Sequence, residues 1–314
     1  MTGSPRATLP RTIFLGSGQF GVESLRRLVE APEIDVVGVV TAPPRPAGRG
    51  ATFTHTPIAR AADTLGIPSV LTPERLRNLD AIAAVLALEP DLLVLADYGR
   101  LVPAELLEPP FGALNLHPSL LPRHRGASPI QATILAGDAE TGVTLMKMDA
   151  GLDTGPIIAQ TRVGLSGRET TPILEEALAV LADGLLARSL RPWLLGEIRA
   201  VPQPEEGATL TKPLRRDDGR LDVARPADEL ERQVRAYQPW PGSFLETPVG
   251  RLIVLRAAVD PGPADPPGRL VAGRDLRLST ADGWLVLEEV QPAGKRPMSG
   301  VSYARGRPEL KGSA

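Results

Sequence analysis

The chain has 314 residues, 42% of them hydrophobic, enough to bury one large core or two moderate ones, and two domains are the better expectation. Its formal net charge of −2 divides into −5 over residues 1–207 and +3 over 208–314, a surplus that permits a polyanion partner for the C-terminal part without establishing one. Cysteine is absent, which excludes disulfides and thiolate metal sites, and no apolar run approaches the roughly 20 residues that span a bilayer.

In chain order, the polar start MTGSPRATLPRT lacks the apolar core of a signal peptide, so a cytoplasmic protein with no membrane partner is expected. Residues 12–15, 35–40, 91–96 and 112–117 are short apolar runs bounded by Gly, Pro or charge, which predicts strands. Residues 22–30, 57–65 and 79–88 between them place apolar side chains at helical spacing. Such alternation favours an α/β fold with a parallel, doubly wound sheet. Residues 142–149 and 156–163 predict two more strands joined by AGLDTG, and 174–195 a long helix that closes the domain. Pro202, Pro204 and Gly207 then interrupt any periodicity, so 201–211 is expected to link a domain at 1–200 to another at 212–314. In the latter, a helix at 227–237 and short β-like runs at 251–259, 275–279 and 284–290 predict a small β-barrel.

The first strand and helix enclose GSGQFG, the G-x-G-x-x-G spacing of dinucleotide-binding turns. That reading also needs a carboxylate at the end of the second strand to hold the ribose. Here the strand ends Val39, Val40, Thr41, Ala42, Pro43, Pro44, so no NAD is expected and the glycines are read as a tight turn with close helix packing.

Chemistry is better signalled by GALNLHPSLLPRHRGASPIQ, residues 112–131. In a strand alternate residues share a face, which puts Asn115 and His117 side by side at a carboxyl end, where open α/β sheets bind ligands. In MDAGLDTGPI, Asp149 and Asp153 flank a turn. Its Asp-Thr-Gly fails as an aspartic-protease loop, since those enzymes need a pair of such loops in a mostly β architecture. An aspartate that orients the imidazole is the better chemistry. Asn115, His117 and Asp153 then supply an oxyanion donor, an acid/base and an orienter, a set suited to acyl transfer to an amine. With only His55, His117 and His124 and no cysteine, no metal is expected.

These stretches carry a resemblance. NLHPSLLPRHRGASPIQ and GDAETGVTLMKMDAGLDTGPII, with FLGSGQFGVESL and PPRPAGRG upstream and DDGRLD, RPADELERQVRAYQPWPGSF and LEEVQPAGKRPMSG downstream, closely resemble the methionyl-tRNA formyltransferase family over nearly the whole chain. The resemblance implies a Rossmann-like formyltransferase domain followed by a small OB-like β-barrel domain. It implies 10-formyltetrahydrofolate as donor and methionyl initiator tRNA as acceptor; a monomer is expected. By position, Asn115 would donate to the formyl oxygen, His117 would stabilise the oxyanion and handle protons, and Asp153 would hold the histidine. Folate would lie along Ser119, Leu120, Leu121 and Pro122 and against the strand end from Leu93 to Tyr98. The loop 43–54, with Arg45 and Arg49, would engage the tRNA acceptor end, and Lys212, Arg215, Arg216, Lys295 and Arg296 would contact phosphates. A formyltransferase for a small amine would share the trio, but the AGRG loop and QPAGKRPM point to tRNA. The chain departs from the family at Ala51, Thr52 and Phe53, where lysines are common, and at Asp97 and Arg100, where apolar residues are usual. His124 stands where Trp or Tyr is usual and is expected as a surface stacking or loop residue.

Overall fold

The structure, a computed structural model, describes residues 9–47, 52–248, 250–263, 265–305 and 307. It divides into two units, Met1–Ala127 with Thr141–Val163 and Glu175–Thr211, and Ser128–Glu140 with Gly164–Leu174 and Lys212–Ala314.

In the first unit β1 (Arg11–Gly16) turns into α1 (Val22–Glu30), which buries Val22, Leu25 and Leu28 at helical spacing. β2 (Asp35–Val40) follows, then β3 (Arg45–Ala47), β4 (Thr52–Thr54), α2 (Pro57–Thr64), β5 (Val70–Leu71), α3 (Leu79–Leu86), β6 (Leu92–Ala96), β7 (Ala113–His117) and β8 (Arg125–Gly126). α2 starts where its sequence says it should: the Thr56 hydroxyl accepts from the Ala59 N–H and Pro57 occupies the first turn. α4 (Pro129–Ala136) precedes β9 (Glu140–Lys147), β10 (Ile157–Gly164), the 24-residue α5 (Thr171–Leu194) and β11 (Leu210–Thr211). The sheet runs β10-β9-β7-β6-β1-β2-β5. β5, β2, β1, β6 and β7 are parallel, and β9 joins β7 antiparallel. β6 is buried along its whole length, as parallel strands covered on both faces are.

In the second unit α6 (Ala227–Ala236) is followed by β12 (Ser243–Thr247), β13 (Gly250–Asp260), β14 (Leu270–Ala272), β15 (Leu276–Ser279), β16 (Trp284–Pro292), β17 (Met298–Ser299) and α7 (Gly300–Arg305). The antiparallel sheet runs β12-β13-β16-β15-β14 with β17 on β16. Leu230 and Val234 of α6 meet Leu252, Val254, Leu287 and Tyr303 in one core.

Three stretches differ from expectation. Within 43–54, which has no apolar periodicity, the described ends β3 and β4 pair antiparallel, Arg45 with Thr54 and Pro46 with Phe53. The 201–211 stretch runs along the first unit: Val201 and Ile157 exchange two 2.8 Å backbone bonds, and β11 pairs with β8. A proline-rich strand of this kind has no period to read because it borrows its hydrogen bonds from segments distant in sequence. α4, which was not anticipated, lies in the second unit, where Arg232 on α6 donates to the Leu135 carbonyl at 3.1 Å.

Candidate active site

β7 alternates as its sequence predicts, with Asn115 opposite Met146 and His117 opposite Thr144 on β9. Both side chains meet Asp153, which the β9–β10 loop carries back over them. Asn115 Nδ2 donates to Asp153 Oδ1 at 3.4 Å, and His117 Nδ1 lies 3.7 Å from Asp153 Oδ2. The structure thus brings the three expected residues together. His117 is 4% exposed, and its Nε2 is 2.9 Å from the His124 carbonyl oxygen. A carbonyl only accepts, so Nε2 carries a proton and Nδ1, toward Asp153, is the atom left to exchange one. His124 itself lies in the turn before β8, as a loop residue, but is buried rather than on the surface, 6% exposed, and its backbone orients the His117 ring.

Asp153 and His124 sit in left-handed backbone conformations, φ +52 and +61, which non-glycine residues keep only when their surroundings fix them. The surroundings do so. Asp153 Oδ2 accepts from the Gly126 N–H at 2.8 Å, Thr209 Oγ1 accepts from the His124 N–H at 2.8 Å, and Thr154 donates to Asp149, which also accepts from Gly151 N–H. Gly155 is needed for close approach, because a Cβ there would collide with the Lys147 carbonyl oxygen. Gln203 Nε2 donates to the carbonyls of Asp153, at 2.8 Å, and Gly155, at 2.7 Å. Gln203 and Thr209 lie in the stretch read as a linker, and no local pattern could have found them.

The residues expected beside folate divide. Leu93 is core, packed with Ile13, Leu15, Val40 and Leu95, and Leu121 and Ser119 are also buried. Ser119 Oγ donates to the Arg123 carbonyl at 2.6 Å, which fixes the turn that follows β7. Leu120 and Pro122 keep half-exposed surface. Tyr98 is 6% exposed, its hydroxyl has no hydrogen-bond partner, and burial pushes its pKa up.

The glycine turn abuts this strand end. A Cβ on Gly16 would stand 2.7 Å from the Ala96 carbonyl oxygen, and one on Gly18 would occupy the place of the Asp97 carboxylate. Desolvation first, and the Glu175 carboxylate second, push Asp97 up to about 7, although the residue as a whole keeps contact with water. At the end of β2, hydroxyls stand where a ribose-binding carboxylate would: Thr41 and Thr56 are 2.7 Å apart and Ser17 accepts from the Ala42 N–H.

Of the residues expected at tRNA, Arg45 is exposed on β3, and Arg49 lies outside the described residues. Lys212, Arg215, Arg216, Lys295 and Arg296 are all exposed in the second unit, with Lys212 Nζ 3.6 Å from Asp218. Among the described residues, no group of three His, Asp or Glu side chains is placed to hold a metal ion, and no helix is long and apolar enough to cross a membrane.

The family profile described as Formyl transferase matches residues 10–190, and that described as Formyl transferase, C-terminal domain, matches 213–308. The chain is 46% identical over 302 residues to a methionyl-tRNA formyltransferase of Roseiflexus sp. (strain RS-1), covering 94% of this chain and 92% of the relative. It is 44% identical to that of Myxococcus xanthus (strain DK1622), with 97% of each covered. Among solved structures, methionyl-tRNA formyltransferase from Clostridium thermocellum matches with a TM-score of 0.54 at 17% identity, over 81% of this chain and 96% of that one. An N-formyltransferase from Helicobacter canadensis, solved with folinic acid and dTDP-3-aminofucose, reaches 0.63 at 17% identity, over 89% and 99%. The structural likenesses show the fold, and the sequence relatives show more: the chain belongs to the methionyl-tRNA formyltransferase family.

Proposed function

We propose that this protein transfers the formyl group of 10-formyltetrahydrofolate to the free amino group of methionyl initiator tRNA, giving N-formylmethionyl-tRNA for translation initiation in the cytoplasm. The observation that carries the reading is the convergence of Asn115, His117 and Asp153 on one patch of the first unit. When bound, the folate supplies a formyl carbonyl on a nitrogen able to leave. The Asn115 N–H not directed at Asp153 donates to the formyl oxygen as that oxygen gains charge. His117 Nδ1 takes the proton of the attacking amine and returns it to the departing folate nitrogen, so a new C–N bond replaces the old one with no net proton change. Asp153 holds the imidazole and steadies it while it carries that proton.

The folate fit rests on Tyr98, whose buried, unpartnered hydroxyl beside the apolar end of β6 suits a flat ligand with hydrogen-bonding edges. Leu120 and Pro122 offer the half-exposed apolar surface. In this reading residues 1–211 carry the chemistry, with 201–211 as part of that framework, and 212–314 engage tRNA through Lys212, Arg215, Arg216, Lys295 and Arg296, with Arg45 and Arg49 at the acceptor end. The protein works as a monomer, with no metal and no NAD. The test is formyl transfer by the purified chain onto charged initiator tRNA, free methionine and an amino-sugar nucleotide. Transfer to the tRNA alone is expected, and equal transfer to either small amine overturns the tRNA assignment.

A further inference from the structure

A glutamine amide has one end that donates and one that accepts, so it can fix two neighbours at once. Gln203 uses both ends. Its Nε2 donates to the carbonyls of Asp153 and Gly155, and its Oε1 accepts from Arg125 Nε at 3.0 Å. Arg125 is 5% exposed and stands between His124, whose carbonyl accepts from His117 Nε2, and Gly126, whose N–H donates to Asp153 Oδ2. The two segments that grip His117 and Asp153, joined directly by the Gly126–Asp153 bond, are therefore tied a second time, through the Gln203 side chain. Nothing else described joins the Asp153 loop to the Arg125 guanidinium. Both flanking residues, Asp153 and His124, hold left-handed conformations that need such fixing.

We propose that Gln203 is a positioning residue of the formyl-transfer site: by clamping the backbone of the Asp153 loop to Arg125 it sets how Asp153 faces His117 and Asn115. This rests on the trio having the roles given above. Gln203 touches neither donor nor acceptor, and its effect on turnover passes through Asp153. The neighbouring contacts explain why the clamp is needed. The loop enters from the end of β9, which lies beside the start of β7, since Lys147 is opposite Leu114, and it must fold back by several residues to reach Asn115 and His117. Asp149 and Thr154 brace the loop internally, and Gln203 anchors it from outside.

The experiment is a four-cornered cycle in the full chain: wild type, Gln203→Ala, Asp153→Asn and the double variant, with kcat, KM for charged tRNA and for formyl folate, and thermal unfolding of each. Gln203→Ala is expected to lower kcat about 10- to 100-fold, the loss that a displacement of about 1 Å produces, with both KM values within about threefold. In the Asp153→Asn background it should lower kcat by less than about threefold further, because residues that act as a unit are not additive. Gln203→Glu keeps the acceptor toward Arg125 but loses the donor toward two carbonyls, and it should fall as far as Gln203→Ala. Equal losses in both backgrounds, a change confined to KM, an active Gln203→Glu, or activity that merely tracks the folded fraction would each overturn the proposal. Wild-type turnover in Asp153→Asn overturns the trio reading and the clamp with it. An impaired Asp153→Asn beside an unimpaired Gln203→Ala overturns the clamp alone.

Discussion

Replacing Asn115 by alanine separates its part in the fold from its part in the reaction. The side chain makes one hydrogen bond, to Asp153 Oδ1 at 3.4 Å, longer than the usual ~2.9–3.0 Å for an N–H donor. Asp153 keeps its 2.8 Å bond from Gly126, and the Asn115 backbone keeps its register with Leu95 and Met146. The stability loss should therefore fall at the low end of the ~0.5–1.5 kcal/mol typical of one hydrogen bond. The kinetic loss is larger. One donor removed from a developing oxyanion costs about 2.7–4 kcal/mol of barrier, which is roughly a 100- to 1,000-fold drop in turnover. Single-turnover transfer with excess enzyme and saturating formyl folate measures the chemical step, and gel-shift titration measures tRNA affinity, expected to change less than about twofold. Turnover within tenfold of wild type, or a loss explained by weaker tRNA binding, would refute the role of Asn115.

Gly155→Ala should cost about 1–3 kcal/mol in urea unfolding and depress kcat, since the new methyl meets the Lys147 carbonyl and lifts the Asp153 loop. Gly164→Ala, with nothing near its Cβ, is the control, and equal behaviour of the two would refute the reasoning. Asp97 binds its proton more tightly when folded, about 7 against an ordinary value near 3.9, so its charging opposes folding as pH rises from about 4 to 7. Asp97→Asn should gain stability over wild type above pH 7 and lose that advantage toward pH 4, with solvent contact tempering its size; a difference constant with pH sinks the assignment. Joint replacement of Lys295 and Arg296 by alanine should flatten the salt dependence of tRNA binding by about 1–2 in log–log slope and leave kcat unchanged; an unaltered slope removes them from the interface.

What the sequence disclosed followed from local pattern. The parallel strands read as apolar runs, and the period-2 alternation of Leu114 to His117 by itself puts Asn115 and His117 on one face. Asp153 is legible by chemistry, since an imidazole that takes on a proton is held by a carboxylate that accepts from it. The missed features all depend on distant partners. α4 is eight residues, apolar on nearly every side so that no amphipathic period marks it, and it is stabilised by α6 far along the chain. Gln203 and Thr209 reach the catalytic loops across roughly 50 to 85 residues, with nothing periodic to mark them.

The course of residues 201–211 bears on how the chain can be divided in the laboratory. Composition invites a cut at residue 200, where prolines and loss of periodicity suggest dispensable tether. Such a fragment would retain the sheet and all three members of the trio while losing Gln203, the Thr209 hydroxyl and the strand partner of β8. Its inactivity would be read as dependence on the second unit, when the missing part belongs to the first unit's own framework. A minimal version of the first unit has to end after Thr211, and autonomy of the half-molecule can be judged only from there.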